Sequence, residues 1–147
     1  MSVDVEVVRS VTSEVVQAFG RLLPQLSGSA EALDAEALHG LVDWPGNQLL
    51  VARVDGEIRG TLTLVTFPIP TGLRASIEDV VVDEAARGRG VGAALTREAV
   101  RLARAAGART VDLTSRPSRT AANRLYERMG FRVRDSNVYR LAELSAP

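Results

Sequence analysis

The sequence of 147 residues contains no cysteine and only one histidine, His39. Without cysteine, the chain can form no disulfide, no thiolate metal site and no cysteine nucleophile. A single histidine leaves little from which to build a His-centred metal site or a Ser-His-Asp triad. We expect His39, which lies next to an apolar helical stripe, to be structural, and we predict no metal site.

Charge of one sign is not in excess, because eighteen basic residues balance eighteen acidic ones. A general nucleic-acid binder needs a surplus of Lys and Arg, so we expect no nucleic-acid partner. No apolar run is long enough to span a bilayer, and the N-terminus lacks a basic segment followed by an apolar run. With 46% apolar residues, the sequence predicts a single cytoplasmic domain over residues 1–147, without a membrane partner.

Apolar periodicity and turn residues predict the elements of the first half. Helices with one apolar face are predicted at 15–26 and 33–42, and strands at 3–8, 49–54 and 58–67. Asp55-Gly56 predicts a two-residue hairpin turn between the last two strands. We expect Pro24 to end or kink the first helix, and Pro68, Pro70 and Gly72 to mark a loop over 67–74.

In the second half, the valine run at 80–82 predicts a buried central strand over 75–83. A loop with three glycines follows, and then a long helix that Gly107 closes. The remaining predicted elements are a strand at 110–114, a helix at 119–129 that Gly130 ends, and one or two final strands within 131–141.

The chemistry is expected in the glycine loop between the central strand and the long helix. Gly88, Gly90 and Gly92 let the backbone turn with its N–H groups pointing inward and no Cβ in the way. The N-terminus of the helix adds a partial positive charge, and Arg87 and Arg89 would add charge-assisted contacts. Together these features predict an anion site suited to a pyrophosphate.

Two common phosphate-binding motifs fit this loop badly. A P-loop needs Lys and then Ser or Thr after its last glycine, where this sequence has Ala93 and Ala94. A Rossmann fingerprint needs Gly-x-Gly-x-x-Gly directly after the first strand of a parallel sheet. Here the glycines fall at every second position, and a hairpin precedes them.

The pattern Arg-x-x-Gly-x-Gly, from Arg87 to Gly92, resembles the acetyl-CoA pyrophosphate loop of the GNAT superfamily of N-acetyltransferases. A second stretch, from Ala122 to Phe131, resembles the family segment in which a tyrosine follows an asparagine and a Gly-Phe pair comes after it. The order of predicted elements is similar to that fold over most of the chain. The resemblance implies an α/β fold with a central mixed β-sheet flanked by helices, the GNAT acyl-CoA acyltransferase fold.

The resemblance also implies acetyl-CoA as the cosubstrate. In the family, the central strand splays from the next strand, and its open edge pairs with the amide groups of pantetheine. The cofactor-binding residues implied in this way are Val80, Val81, Val82, Arg87, Gly88, Arg89, Gly90, Val91, Gly92, Ala93, Asn123 and Tyr126.

Tyr126 is implied as a catalytic residue, because the family tyrosine lies near the leaving sulfur and can protonate the thiolate. Asn123, one helical turn earlier, faces the same way and would contact CoA. Ser115 and Arg116 follow the strand at 110–114, and because strand ends line ligand crevices in open sheets, we expect them to touch the substrate or the cofactor.

An attacking amine must be neutral, and a free alkylamine is largely protonated at neutral pH, so a base or a water relay helps. Glu78 is preferred over Asp79 as that base and as a substrate contact, because strand alternation would place it on the face of Val80 and Val82. The family also often carries a glutamate in this region.

The leading hypothesis is direct transfer of an acetyl group from acetyl-CoA to a primary amine of a small molecule. The alternatives are a non-catalytic acyl-CoA-binding module and an acetyltransferase of protein N-termini or lysines. The sequence lacks an obvious acidic patch for a basic protein tail, which favours a small molecule. Homodimers are common in the family, but nothing in the sequence identifies an interface.

Overall fold

The computed structural model describes residues 2–144, and the chain divides into two compact units between Thr114 and Ser115. The first unit consists, in chain order, of β1 (Val3–Val7), α1 (Ser13–Leu26), α2 (Ala35–Asp43), β2 (Asn47–Val54), β3 (Glu57–Ile69), β4 (Gly72–Val82), a 3₁₀ turn (Glu84–Ala86), α3 (Val91–Ala105) and β5 (Thr110–Leu113). The described part of the second unit has one helix, α4 (Thr120–Arg128).

The five strands form one mixed sheet in the order β1-β2-β3-β4-β5. The first four pair antiparallel with their neighbours, whereas β4 and β5 are parallel, with Arg74 opposite Thr110. Parallel neighbours need a crossover connection, which here contains α3. The mixed sheet predicted from the sequence is therefore confirmed.

Helices cover both faces of this sheet. α1 and α2 bury Leu22 and Leu38 in a cluster that includes Val81 of β4. α3 packs on the opposite face, where a Cβ on Gly60 would come within 2.7 Å of Val91 Cγ1. Only a glycine lets the helix approach β3 so closely.

The hairpin between β2 and β3 has the predicted turn. Asp55 and Gly56 have φ angles of 53° and 84°. Both central positions of a type I′ turn need positive φ, and Asp-Gly is among the pairs that accept it most readily. The local sequence therefore predicted this turn correctly.

Pro24 does not end the first helix, since α1 continues to Leu26. Pro24 lies in the last turn, where its missing N–H removes a single bond to the carbonyl of Gly20. Gly20 is exposed, so water can satisfy that carbonyl. The N–H of Ser27 closes the helix on the Leu23 carbonyl at 3.0 Å.

The loop predicted at 67–74 is instead the tip of a second hairpin. β3 and β4 stay paired through it, with Pro68 opposite Leu73. The Leu73 carbonyl accepts a hydrogen bond from the Arg109 N–H at 2.8 Å, so the backbone groups of Leu73 point toward β5. Leu73 and Pro68 therefore form no hydrogen bond with each other across the hairpin. The missing N–H of Pro68 therefore removes no bond from the ladder.

The final strands predicted within 131–141 are also wrong, because no residue from Phe131 to Leu144 is in a strand. Val133 and Tyr139, which have high strand propensity, are 91% and 89% exposed. Strand propensity depends on packing against a neighbouring strand and is weak without it. Within residues 2–144, this segment pairs with no strand.

Candidate functional site

A β-bulge interrupts β4 at Asp79. Thr61 of β3 lies opposite Val81, whereas Thr63 lies opposite Glu78, so the single residue between the threonines faces two residues of β4. Asp79 has a φ of 50°, a conformation that Asp and Asn adopt more readily than other side chains. The extra residue changes which side chains share a face across the bulge.

The bulge corrects the predicted face of Glu78. Thr61 and Thr63 share a face of β3, and their partners Val81 and Glu78 therefore share that face of β4. Strand alternation without a bulge had placed Glu78 with the valines on either side of Val81. The shared face is the one on which α1 and α2 pack. Glu78 is exposed there, and its Oε2 accepts a hydrogen bond from Ser76 Oγ at 2.5 Å.

After Ile77, β4 has an open edge. β5 pairs with β4 only as far as Ile77, and no described strand lies on that side of Val80 and Val82. The N–H of Asp83 donates to the Arg59 carbonyl of β3 at 2.7 Å. Because backbone groups alternate along a strand, those of Val82 point away from β3. An extended ligand can hydrogen-bond to this edge as a strand would.

The glycine loop leads from this edge to the N-terminus of α3. Gly88 and Gly90 have φ angles of 81° and 78°, and a Cβ on either would meet no atom within 4 Å. Gly90 is the N-cap of α3 and provides no side-chain cap. The first intrahelical bond runs from the Ala94 N–H to the Gly90 carbonyl at 3.0 Å, so the three N–H groups before it have no partner within the helix. Gly92, predicted in the loop, is the second residue of α3.

This loop fits a pyrophosphate. The positions that side chains on its glycines would occupy are open space. The first N–H groups of a helix attract anions. Arg87 and Arg89 flank Gly88 and are exposed. Arginine binds phosphate through charge-assisted hydrogen bonds, often two at a time. The chain therefore offers both neutral donors and positive charge to an anionic ligand at this loop.

Asp83 ties the start of the loop to α1 and β3. It is buried, and its Oδ2 accepts from Arg21 Nε and from Arg59 Nη1, each at 3.2 Å. Its Oδ1 accepts from the Ala85 N–H at 3.1 Å, at the start of the 3₁₀ turn. Gln25, one turn after Arg21, accepts from the backbone N–H that follows Asp83, at 2.9 Å. These contacts fix the point at which the loop leaves the sheet.

The same contacts lower the pKa of Asp83. Burial alone would raise it, but hydrogen bonds from the Ala85 N–H, Arg59, Arg21 and Gln25 favour the charged form and outweigh burial. The folded-state pKa thus lies below the unfolded value of about 3.9. The stabilisation is complete above that pH and is lost as the pH falls through the folded-state pKa.

We expect Asp83→Asn to lower the free energy of unfolding at neutral pH by about 1–3 kcal/mol, because it removes the charge shared by two guanidinium groups that are 40% and 33% exposed. The variant should also lose less stability than the wild type between about pH 5 and pH 2. Denaturant unfolding across this pH range measures both effects. Asp55→Asn, in an exposed turn that suits Asn equally, is the matched control. Equal acid sensitivity of wild type and Asp83→Asn would contradict the role of Asp83.

Arg21, Gln25 and Arg59 were not predicted as site residues. Arg21 and Gln25 are four positions apart on α1, so they share a helix face, and this spacing was visible in the sequence. Their partner was not visible, because Asp83 lies 62 positions from Arg21 and 24 from Arg59. Only the folded sheet brings these groups together.

In the second unit, Asn123 holds the segment before α4. Its Nδ2 donates to the carbonyls of Arg116, at 3.0 Å, and Pro117, at 3.5 Å. Its amide donor therefore already has a local structural role. Ser115 Oγ is buried and has no hydrogen-bond partner among residues 2–144. A buried hydroxyl without a partner is costly, so a ligand acceptor would be favourable there.

Tyr126 lies on α4 and is 8% exposed. Its ring packs edge-on against Phe131, with the centroids 5.9 Å apart. Burial raises the pKa of Tyr126, and the positive charge of Arg119 opposes this only in part. The phenol is therefore protonated at neutral pH, as a proton donor must be.

Residues 2–144 contain no group of three or more His, Asp or Glu side chains placed to hold a metal ion. Over the same residues, no helix has the length and apolar composition needed to cross a membrane. The longest described helix, α3, has 15 residues, whereas a membrane span needs about 20.

Sequence and structure comparisons agree on the family. The chain matches the model of the Acetyltransferase (GNAT) family over residues 16–131. A putative acetyltransferase from Agrobacterium tumefaciens is 27% identical, with a TM-score of 0.81 over 97% of this chain and 100% of that one. An acetyltransferase from Trypanosoma brucei is also 27% identical, with a TM-score of 0.78 over 97% and 100% of the two chains. No curated protein matches the sequence. Because the family match includes both motifs and most of the chain, the protein belongs to the GNAT family of acetyltransferases.

Proposed function

We propose that the protein is an N-acetyltransferase that moves the acetyl group of acetyl-CoA directly to a primary amine of a small molecule. The observation that supports this most strongly is the order of two ligand features along one strand. The open β4 edge at Val80 and Val82 leads through Asp83 into a loop that fits a pyrophosphate. Acetyl-CoA has the same order, because its pantetheine is an extended chain of amides joined to a pyrophosphate.

In this proposal, the backbone of Val80 and Val82 pairs with the pantetheine amides. Arg87, Arg89 and the first N–H groups of α3 hold the phosphates. Acetyl-CoA, when bound, supplies a thioester that an amine can attack. The chain's own contribution is to orient the thioester and to accept and deliver protons around it.

Glu78 is proposed to take the proton of the acceptor ammonium, directly or through water. The Ser76 hydroxyl donates to its Oε2, so its second carboxylate oxygen is left as an acceptor. Asp79, in the bulge itself, is the alternative base. Tyr126 is proposed to give its proton to the departing thiolate, since its phenol stays protonated at neutral pH.

Proteins of similar fold carry the names of unlike acceptors. They include an aminoglycoside acetyltransferase from a soil metagenome, 18% identical, and a glucosamine-6-phosphate N-acetyltransferase from Arabidopsis thaliana, 18% identical. A ribosomal-protein-alanine N-acetyltransferase from Brucella melitensis is 22% identical. Such identities show the fold alone. Two of the three names specify small molecules, so we propose a small-molecule amine first and a protein amine second.

The test combines cofactor binding with turnover. CoA at about 100 times its Kd should add about 2.7 kcal/mol to the free energy of unfolding, which raises the Tm of a protein of this size by about 5–10 °C. ATP and NAD at equal concentration serve as controls. Thiol release from acetyl-CoA is then measured with amino sugars, aminoglycosides, polyamines, amino acids and peptides with a free N-terminus.

We expect a rise in Tm with CoA and thiol release with one class of small amines. A Tm that responds to ATP but not to CoA would refute the cofactor assignment. A CoA-induced rise without thiol release from any amine would identify a binding module instead. Release with peptides alone would transfer the proposal to protein acceptors.

A further inference from the structure

The first half of β4 presents an exposed polar surface on the side of α1 and α2. Arg74, Ser76 and Glu78 alternate there before the bulge. Phe67 of β3 lies opposite Arg74, and Asp112 of β5 lies opposite Ser76. Glu78, Phe67 and Asp112 are exposed, so the helices leave this surface open. We call these five residues the acceptor face.

Two arginine side chains contact Thr71 at one end of the acceptor face. Arg74 Nη1 donates to Thr110 Oγ1 at 3.1 Å, and Arg74 Nη2 donates to Thr71 Oγ1 at 2.8 Å. Arg109 Nη1 donates to the carbonyl of the same Thr71 at 2.6 Å. A Cβ on Gly72 would lie 2.5 Å from Arg109 Cδ. Because Gly72 and Arg74 share a face of β4, both arginines lie on that face.

This pair of positive charges has no carboxylate in direct contact. Neither Arg74 nor Arg109 is in an ion pair within residues 2–144. Their partners are threonine oxygens, which are neutral, and Arg74 Nε is buried without a hydrogen-bond partner. Like charges that converge on one residue repel each other. An anion placed between them would remove this repulsion and form charge-assisted hydrogen bonds.

The opposite end of the acceptor face is acidic. Glu78 is an exposed carboxylate at that end, and the exposed Asp112, opposite Ser76, lies midway along the face. Neither forms an ion pair with the arginines. The Cα atoms of Arg74 and Glu78 are four strand residues apart, or about 13 Å. Phe67, which is 40% exposed, adds an apolar contact at the arginine end. The charges of Arg74 and Glu78 thus remain separated along one surface.

We propose that the acceptor is an amine with a distant anionic group, which Arg74 and Arg109 bind while the amine lies at Glu78 next to the bulge. This inference rests on the proposed function and names its substrate class. Because the arginine end and Glu78 are far apart on the acceptor face, they select an acceptor whose amine and anionic group are separated by several bonds. An α-amino acid, whose two charges are adjacent, does not reach both ends.

The test compares ω-amino carboxylates with alkylamines of the same length, for example 6-aminohexanoate with hexylamine, with glycine as the acceptor that is too short. We expect the best carboxylate to exceed its alkylamine by about 10-fold or more in kcat/KM, the value of one charge-assisted hydrogen bond. Arg74→Gln and Arg109→Gln should each raise KM for the carboxylate and leave the alkylamine unchanged.

Arg97→Gln is the matched control, since Arg97 is an exposed arginine of α3, on the other side of the sheet. The ratio of kcat/KM for the carboxylate to kcat/KM for the alkylamine separates a loss of anion binding from a loss of folding, because a variant with a damaged hairpin loses activity toward both acceptors. Arg109→Gln removes a single contact to a backbone carbonyl and keeps the test valid if Arg74→Gln fails to fold.

Equal kcat/KM for every carboxylate and its alkylamine would overturn the inference and leave the proposed function standing. So would turnover confined to amines without an anionic group, or an equal loss of selectivity in Arg97→Gln. Absence of thiol release with any amine would instead refute the proposed function itself.

Discussion

Tyr126→Phe is expected to lower kcat by about 100-fold and to leave the Kd for CoA unchanged. The substitution removes only the hydroxyl, and acid–base assistance contributes about 100- to 10,000-fold. The loss should lie at the low end because burial raises the pKa of Tyr126, which makes it a weaker acid. A thiolate is also a fair leaving group, since a thiol has a pKa of about 8.5. Steady-state kinetics and CoA titration of both proteins provide the measurement.

Tyr139→Phe is the matched control for this prediction. Tyr139 is the only other tyrosine of the chain, and it is 89% exposed, so loss of its hydroxyl should not change kcat. If Tyr126→Phe turns over as fast as the wild type with the same affinity for CoA, Tyr126 is not the proton donor. Positioning of the amine would then be the main catalytic effect. A loss of affinity equal to the loss of rate would make Tyr126 a binding residue.

Gly90→Val is expected to weaken CoA binding by about 100-fold or more, through loss of at least two charge-assisted hydrogen bonds from the loop. Gly90 has a φ of 78°, which a β-branched residue strongly resists. Its side chain would also occupy space that is open in the structure. The CoA-induced rise in Tm should disappear, whereas the circular dichroism of the unliganded protein should remain that of a folded chain.

Gly107→Val separates backbone strain from ligand contact. Gly107 ends the same helix with a φ of 86°, and a Cβ there would also meet no atom within 4 Å. Both variants should therefore lose similar stability, about 1–3 kcal/mol. Only Gly90→Val should lose the response to CoA. An equal CoA-induced rise in Tm in the two variants would show that the N-terminus of α3 does not bind the phosphates.

The type I′ turn and the glycine loop were predicted from the sequence because their causes are local. Asp55-Gly56 specifies its turn through the φ angles of two adjacent residues. Gly88 and Gly90 specify the loop in the same way, and the apolar stripe that follows specifies α3. The order of elements and the family follow from such short patterns.

Other features required the tertiary structure. Alternation placed Glu78 on the wrong face, since the bulge at Asp79 is visible only in the register between β3 and β4. Pro68 suggested a loop because the sequence does not show which edge of the strand its nitrogen faces. The apolar residues after Phe131 suggested strands, but strand propensity alone supplies no pairing partner.

By itself, the sequence determined the family and the glycine loop before α3, because both are encoded in short stretches of consecutive residues. The tertiary structure decided what surrounds that loop. It brought Asp83 to Arg21, 62 positions away, and it separated the charges of Arg74 and Glu78 along one face. Such arrangements depend on strand register and helix packing, which are set by the whole core rather than by neighbours in the chain.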